Sequence, residues 1–426
     1  MKTYDLLKER GFVYQLTDEK ELPERINGKG VTFYVGFDPT GDSLHIGHLL
    51  PIMAMRWLQK GGHSPIALVG GATAQVGDPS GKTEMRKMLT KEEIESNTDK
   101  IKEQLSSFLN FTGDAKAMLV NNIDWLGDIK YIDFLRDVGK YFSINKMLTT
   151  ESVKNRLETG LSFIEFNYTL LQAYDFVELM RNNDCEFQMG GQDQWGNIVA
   201  GTDLTRRILG RQGYGMTFPL LLNSSGQKFG KTVAGAVWLD PNKTSFYEYY
   251  QFWRNCDDAD IKKLLGYFTE LPMDEVSRLG SLTSPDINRA KEILAYEATK
   301  MVHGKEPAEK AYLAATAKFG FADKDGKIPT SSQITKIKKN DVTGDLPSFE
   351  VSPEELAKGI WVIKLFADCG LCKSNGDARR MLKQGALYIN DERVSDISYE
   401  ISEKDMLDKE ILLRFGKKKY KRIILS

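Results

Sequence analysis

The chain has 426 residues, and its 58 basic and 59 acidic side chains leave a formal net charge of −1. That length exceeds one ordinary domain, and the near balance of charge excludes a chain that holds nucleic acid through a global positive field, so any such surface has to be local. Four cysteines exclude a disulfide framework, and no apolar run is long enough for a signal peptide or a bilayer span, so a cytoplasmic protein without membrane association is expected.

The first strong pattern is VTFYVGFDPTGDSLHIGH, Val31 to His48. Val31 to Phe37 is β-branched and aromatic, which predicts a short buried strand. Pro39 and Gly41 make a turn, Asp42 and Ser43 are candidate caps, and Leu49, Leu50, Ile52, Met53 and Trp57 repeat at helical spacing. His45 and His48, two of only four histidines, fall in the first turn of this helix. A helix N-terminus presents unpaired N–H groups and partial positive charge, so it suits phosphate, and Gly47 would let a flat base lie against the backbone.

Lys60-Gly61-Gly62 stops the helix, Ser64 to Val69 is a second strand, and a glycine-rich loop from Gly70 to Lys82 follows. Ala117 to Asn121, Cys185 to Met189 and Thr217 to Leu222 read as third, fourth and fifth strands with helices between them. Short apolar strands alternating with helices predict an α/β, Rossmann-like parallel sheet whose ligands lie beyond the carboxyl ends of the strands.

Tyr168, Gln172 and Asp175 lie at i, i+4 and i+7, so a phenol, an amide and a carboxylate share one helical stripe and can hold a small zwitterion. Gly190 to Gln194 opens the helix after the fourth strand, with Asp193 suited to accept from ribose hydroxyls. Lys228-Phe229-Gly230-Lys231-Thr232 stands in a polar, glycine-rich loop. From Thr244 to Phe321 the pattern is helical, and residues 322–350 are too polar to pack, which predicts a linker. Ser352 to Glu355 is a capping box that opens a small α+β module. Cys369 and Cys372 lack a second ligand pair at metal spacing, so packed thiols are expected there. Lysines around Tyr420 suit phosphate contact with base stacking.

His45-Ile46-Gly47-His48 is the signature tetrapeptide of class I aminoacyl-tRNA synthetases, and the residues from Tyr34 to Thr40 resemble the bacterial tyrosyl branch in particular. The Tyr168 stripe, the Gly190 turn and the lysine pentapeptide match that branch in its order, so the resemblance covers nearly the whole chain. It implies tyrosine activation by ATP, with Mg2+ accompanying ATP and no tightly bound metal or organic cofactor, then transfer to tRNA(Tyr) by a homodimer. It assigns Tyr168, Gln172 and Asp78 to the amino group of L-tyrosine, Tyr34 and Asp175 to its hydroxyl, and Gln194 to its carboxylate. Asp38, Gly47, Gly191, Asp193 and Lys231 would bind ATP. Thr40, His45, His48, Lys82, Arg86, Lys228 and Lys231 would meet the charge that develops on pyrophosphate. Arg379, Arg380, Lys417, Lys418 and Lys419 would contact RNA.

The implied domains are a catalytic body at 1–223 with a dimer segment near 125–164, a lysine loop at 224–243 and a helical anticodon-binding domain at 244–321. A linker at 322–350 and an RNA-binding module at 351–426 complete them. Two departures stand out. The lysine pentapeptide replaces the commoner K-M-S-K-S at its second, third and fifth residues, and Val35 stands where some relatives have cysteine. A tryptophanyl relative, an idle RNA-binding relative and a small nucleotidylyltransferase are the alternatives. Tyr34 with Asp175, the retained histidines and lysines, and the extra domains speak against them in turn.

Overall fold

Six strands form the sheet that carries the site: β1 (Gln15–Leu16), β2 (Thr32–Phe37), β3 (Ser64–Val69), β4 (Met118–Asn121), β5 (Cys185–Gly191) and β6 (Tyr214–Phe218), in the order β1-β6-β5-β2-β3-β4. The structure is a computed structural model, and it describes all residues except 1, 29, 81–88, 158–159, 233–234, 338–347, 391, 408–409, 417–418 and 426, and the side chains of Lys231 and Thr232. β2 to β6 run parallel, as their continuous apolar runs demand, while β1 is an antiparallel edge that the sequence did not announce. β6 ends at Phe218 rather than Leu222, because Pro219 brings no N–H to a ladder.

From β2 the chain adds β3 and β4 on one side and then returns to place β5 on the other. Loops leaving β2 and β5 therefore diverge at their carboxyl ends, and a crevice opens between them. The helix Ile46–Lys60 buries Leu49, Leu50, Ile52 and Met53. Its N-cap is His45, a correction to the expectation of Asp42 and Ser43. Asp42 instead pairs with Lys100 at 3.6 Å, and the Ser43 hydroxyl donates to Leu44 O.

The chain divides into two units, Met1–Asp240 with Lys262–Ser277 and Pro241–Ile261 with Arg278–Ser426. The range 244–321, where a helical domain is expected, is divided between these two units. Residues 262–277 return to the first unit, where buried Arg10 donates to the carbonyls of Gly266, Thr269 and Leu271 at 2.9, 2.9 and 2.6 Å. Its guanidinium lies 4.0 Å over the Trp57 ring, and burial pulls its pKa down to about 10.

In the second unit, helices Phe246–Arg254, Ile287–His303 and Lys305–Phe319 surround buried Arg289, which pairs with Glu292 at 2.9 Å. The linker expectation at 322–350 is corrected over its described part. The Ala322 N–H donates to Glu292, the Ser332 hydroxyl donates to Glu297 at 2.6 Å, Ile334 is buried, and Ser348–Val351 is a strand of the C-terminal sheet. That polar stretch packs because a backbone N–H and a hydroxyl satisfy buried carboxylates and Ile334 is buried.

The basic tail is likewise a strand, Lys419–Leu425, between Glu410–Phe415 and Ser348–Val351. Tyr420 is buried beneath the Lys318 ammonium, 3.6 Å from its ring, so it is not the open stacking platform expected. Cys369 and Cys372 lie in the apolar core of this module, where burial raises both thiol pKa values, to about 11 and about 12. Among the described residues no helix is long and apolar enough to cross a membrane.

Candidate active site

A cavity of about 390 Å³ occupies the crevice at the carboxyl ends of β2 and β5. β2 supplies Tyr34 and its following turn Asp38 and Thr40. The Ile46 helix supplies His45, Gly47 and His48, the loop after β3 supplies Asp78, and helix Phe163–Asn183 supplies Tyr168, Gln172 and Asp175. Gly191, Asp193 and Gln194 come from the turn after β5, and Lys228 from the segment after β6. One hollow thus gathers residues that the sequence spreads over nearly two hundred positions.

At its deep end Tyr34 is 1% exposed, and its hydroxyl has no partner among the described residues. Asp175 is 2% exposed and accepts from Asn122 Nδ2 at 3.0 Å and Trp125 Nε1 at 2.8 Å. Burial pushes its carboxyl up to about 8, although those two donors pull the other way. Nearby, the Tyr168 hydroxyl donates to Asp38 Oδ2 at 2.8 Å, and Gln194 Nε2 donates to Asp78 Oδ2 at 2.6 Å. Asp78 is raised to about 6, again by burial before any other cause. Gln172 accepts from Asn197 at 3.1 Å. Above β2, a Cβ on Gly36 would meet nothing within 4 Å, so that end of the strand borders open space.

The outer end is built on the helix N-terminus. His45 Nδ1 accepts from the Gly47 N–H at 3.0 Å, His48 Nδ1 accepts from the His45 N–H at 3.1 Å, and the two rings stack 3.9 Å apart. With both Nδ1 atoms accepting, the proton of each neutral ring sits on Nε2. Gly47 has a tighter reason than approach by a base, because a Cβ there would lie 2.8 Å from the His45 ring. At Gly191 a Cβ would lie 2.5 Å from Asp193 Oδ1.

The lysine segment is not the unpacked loop expected from its composition. Asn223 N–H donates to Gln227 O and Phe229 N–H to Leu221 O, which makes a hairpin, and Lys231 pairs with Ala236. The Ile46 N–H donates to Val237 O at 3.1 Å and so ties this segment to the histidine helix. Gly230 has φ of 90°, a left-handed value that favours glycine, and its Cβ position faces Ile46 at 3.4 Å. That explains one departure from the commoner pentapeptide. Lys82, Arg86, Lys417 and Lys418, and the Lys231 side chain, lie outside the described residues. Arg379 and Arg380 are exposed on helix Asn375–Lys383, the first 5.1 Å over the Trp361 ring and the second paired with Asp377, while Lys419 is exposed on the last strand.

Sequence reasoning missed Thr73, Asn122, Trp125 and Asn197, which hold the residues it found. Asn121-Asn122 at the carboxyl end of a predicted strand was the available signal, since polar residues there face the crevice.

Residues 27–320 match the family model described as tRNA synthetases class I (W and Y), more than half of the chain, so it is a class I tRNA synthetase. Residues 339–423 match the model described as a tyrosine–tRNA ligase SYY-like C-terminal domain. The chain is 51% identical over 427 residues to a curated tyrosine–tRNA ligase of Clostridium botulinum, with 100% of both chains covered, and 51% identical to that of Desulfosudis oleivorans, covering 100% of this chain and 99% of the other. It belongs to the tyrosine–tRNA ligases. The crystal structure of a C-terminally truncated mitochondrial tyrosyl-tRNA synthetase from Aspergillus nidulans superposes with a TM-score of 0.67 at 32% identity, covering 74% of this chain and 94% of that one.

Proposed function

We propose that this cleft joins L-tyrosine to ATP and then to tRNA(Tyr), with the phenol ring in the deep end and the nucleotide across the histidine helix. The tyrosine carboxylate attacks the α-phosphate, pyrophosphate leaves, and the 3′-terminal adenosine of tRNA takes the tyrosyl group from the adenylate. The observation that carries this reading is the unpartnered, buried Tyr34 hydroxyl beside the Asp175 carboxyl at the base of the same hollow that His45, His48 and Asp193 rim. A ligand hydroxyl can supply the missing partner.

Tyr168 and Asp78 meet the ammonium, Gln172 lines the same region, and Gln194 stands by the carboxylate. Asp193 takes the ribose, Gly47 and Gly191 leave room for the nucleotide, and Asp38 lies where both substrates meet. No side chain has to act as nucleophile or general base. Thr40, the two imidazoles, Lys82, Arg86, Lys228 and Lys231 stabilise charge on the departing pyrophosphate. Mg2+ arrives with ATP as part of the substrate. Arg379, Arg380 and Lys417 to Lys419 contact RNA, on a cytoplasmic enzyme.

A homodimer is supported by the segment near 125–164, where Tyr131, Ile132, Ile144, Leu157 and Phe163 are each more than half exposed. Beneath them a buried ion pair, Arg156 with Glu165 at 2.8 Å, fixes the segment to its helix. Exchange of pyrophosphate into ATP tests the activation step of this reading. Tyrosine should support it, and tryptophan and pantetheine phosphate should not; exchange driven by tryptophan instead would overturn it.

A further inference from the structure

The two carboxyl groups of the tyrosine slot, Asp38 and Asp175, are joined by a short run of buried hydrogen bonds. The Thr73 hydroxyl gives its one proton to Asp38 Oδ1 at 2.8 Å, so a lone pair is left to accept Asn122 Nδ2 at 3.0 Å. The same amide nitrogen gives its other proton to Asp175 Oδ2 at 3.0 Å. Asn122 Oδ1 accepts from the Ala72 N–H at 2.8 Å, which fixes the orientation of the amide and hence the direction of every bond in the run. Thr73 is 2% exposed and Asn122 is fully buried. At Gly70 a Cβ would lie 2.0 Å from Asp38 Oδ1 and 2.3 Å from Thr73 Oγ1, so the junction exists only because that residue has no side chain.

We propose that Thr73 and Asn122 are positioning residues that couple the two ends of the slot, so that contacts made by the ammonium and by the phenolic hydroxyl are set together. The inference rests on the tyrosine reading above. Asp38 carries the ammonium end through Tyr168, a contact that tyrosine and phenylalanine share, while Asp175 meets only the hydroxyl. Replacing the Thr73 hydroxyl by a methyl removes the acceptor of an Asn122 N–H in a buried site and the donor that Thr73 offers to Asp38 Oδ1. The amide then turns toward another acceptor, and Asp175 loses its alignment with Tyr34.

The test is pyrophosphate exchange by the full-length enzyme with tyrosine and with phenylalanine at saturating ATP. Thr73→Val is expected to lower the ratio of kcat/KM for tyrosine over phenylalanine on the order of tenfold, with Thr73→Ser restoring the ratio. Thr73→Ala gives the same reading if the valine variant does not fold. A ratio that stays at the wild-type value, whether or not both substrates weaken in parallel, would overturn the coupling. A wild-type enzyme that fails to use tyrosine at all would overturn the functional reading instead.

Discussion

At the end of the cleft proposed to take tyrosine, Tyr34, Tyr168, Asp78 and Asp175 are each less than a tenth exposed, and three of the four are held by side-chain hydrogen bonds. At the end proposed to take the nucleotide, Thr40, Asp193 and Lys228 stand exposed, and the hairpin that carries Lys228 is fastened by backbone bonds and by the Asn223 amide oxygen, which accepts from the Gln227 N–H at 2.8 Å. The contrast follows from what each end must do. Telling one amino acid from another needs polar groups stripped of water, so that a wrong partner leaves them unsatisfied. Neutralising pyrophosphate needs cations that can reach it and then let it go.

The largest effect that would separate the two ends is Asp175→Ala. It should reduce kcat/KM for tyrosine at least about a hundredfold, from a lost buried hydrogen bond to the substrate and from Asn122 and Trp125 N–H groups that lose their acceptor, while the KM for ATP moves little. Activation of tyrosine at the wild-type rate would break the comparison outright. Lys228→Ala, and equally Lys231→Ala, should cost about 3 kcal/mol in adenylate formation, roughly a hundredfold, with tyrosine affinity nearly constant. Equal losses in both, measured by pre-steady-state adenylate formation and equilibrium tyrosine binding, would mean that the outer end also serves recognition.

A third test uses protons. The Asp175 carboxyl, raised to about 8, keeps its proton in the folded protein, while the unfolded chain loses its own near pH 4. Between those values the native state binds the extra proton, so stability falls as pH rises. Asp175→Asn removes that slope. The variant's melting temperature relative to wild type, without ligands, should climb from pH 5 to pH 8 by the equivalent of about 4 kcal/mol; a difference that stays flat would show the carboxyl ionised and paired. The smallest effect is expected for Gly230→Ala, which strains a left-handed residue by about 1 kcal/mol. It should raise the KM for ATP several-fold and leave the KM for tyrosine alone.

The parallel sheet was legible because its strands are continuous apolar runs, and so was the Tyr168 stripe, because helical spacing alone brings Gln172 and Asp175 to one face. What escaped were relations that only the third dimension makes. Nothing local in Gln15-Leu16 announces an edge strand; it is defined by pairing with Thr217 and Met216. Asn122 and Trp125 are unremarkable in sequence until the helix Phe163–Asn183 sets Asp175 against them. Composition misled at the lysine hairpin and at residues 322–337, where polar side chains suggested solvent while backbone groups and a few buried contacts supplied order.

The grip of Arg10 on the carbonyls of Gly266, Thr269 and Leu271 bears on how the protein is made. As the chain leaves the ribosome, its first helix waits for a stretch more than 250 positions downstream, with residues 241–261 assigned to the other unit in between. A product that ends after Asp240 would carry every histidine-helix and slot residue yet leave a guanidinium without its three acceptors. The nascent enzyme therefore completes its catalytic body only after part of its neighbour has been synthesised.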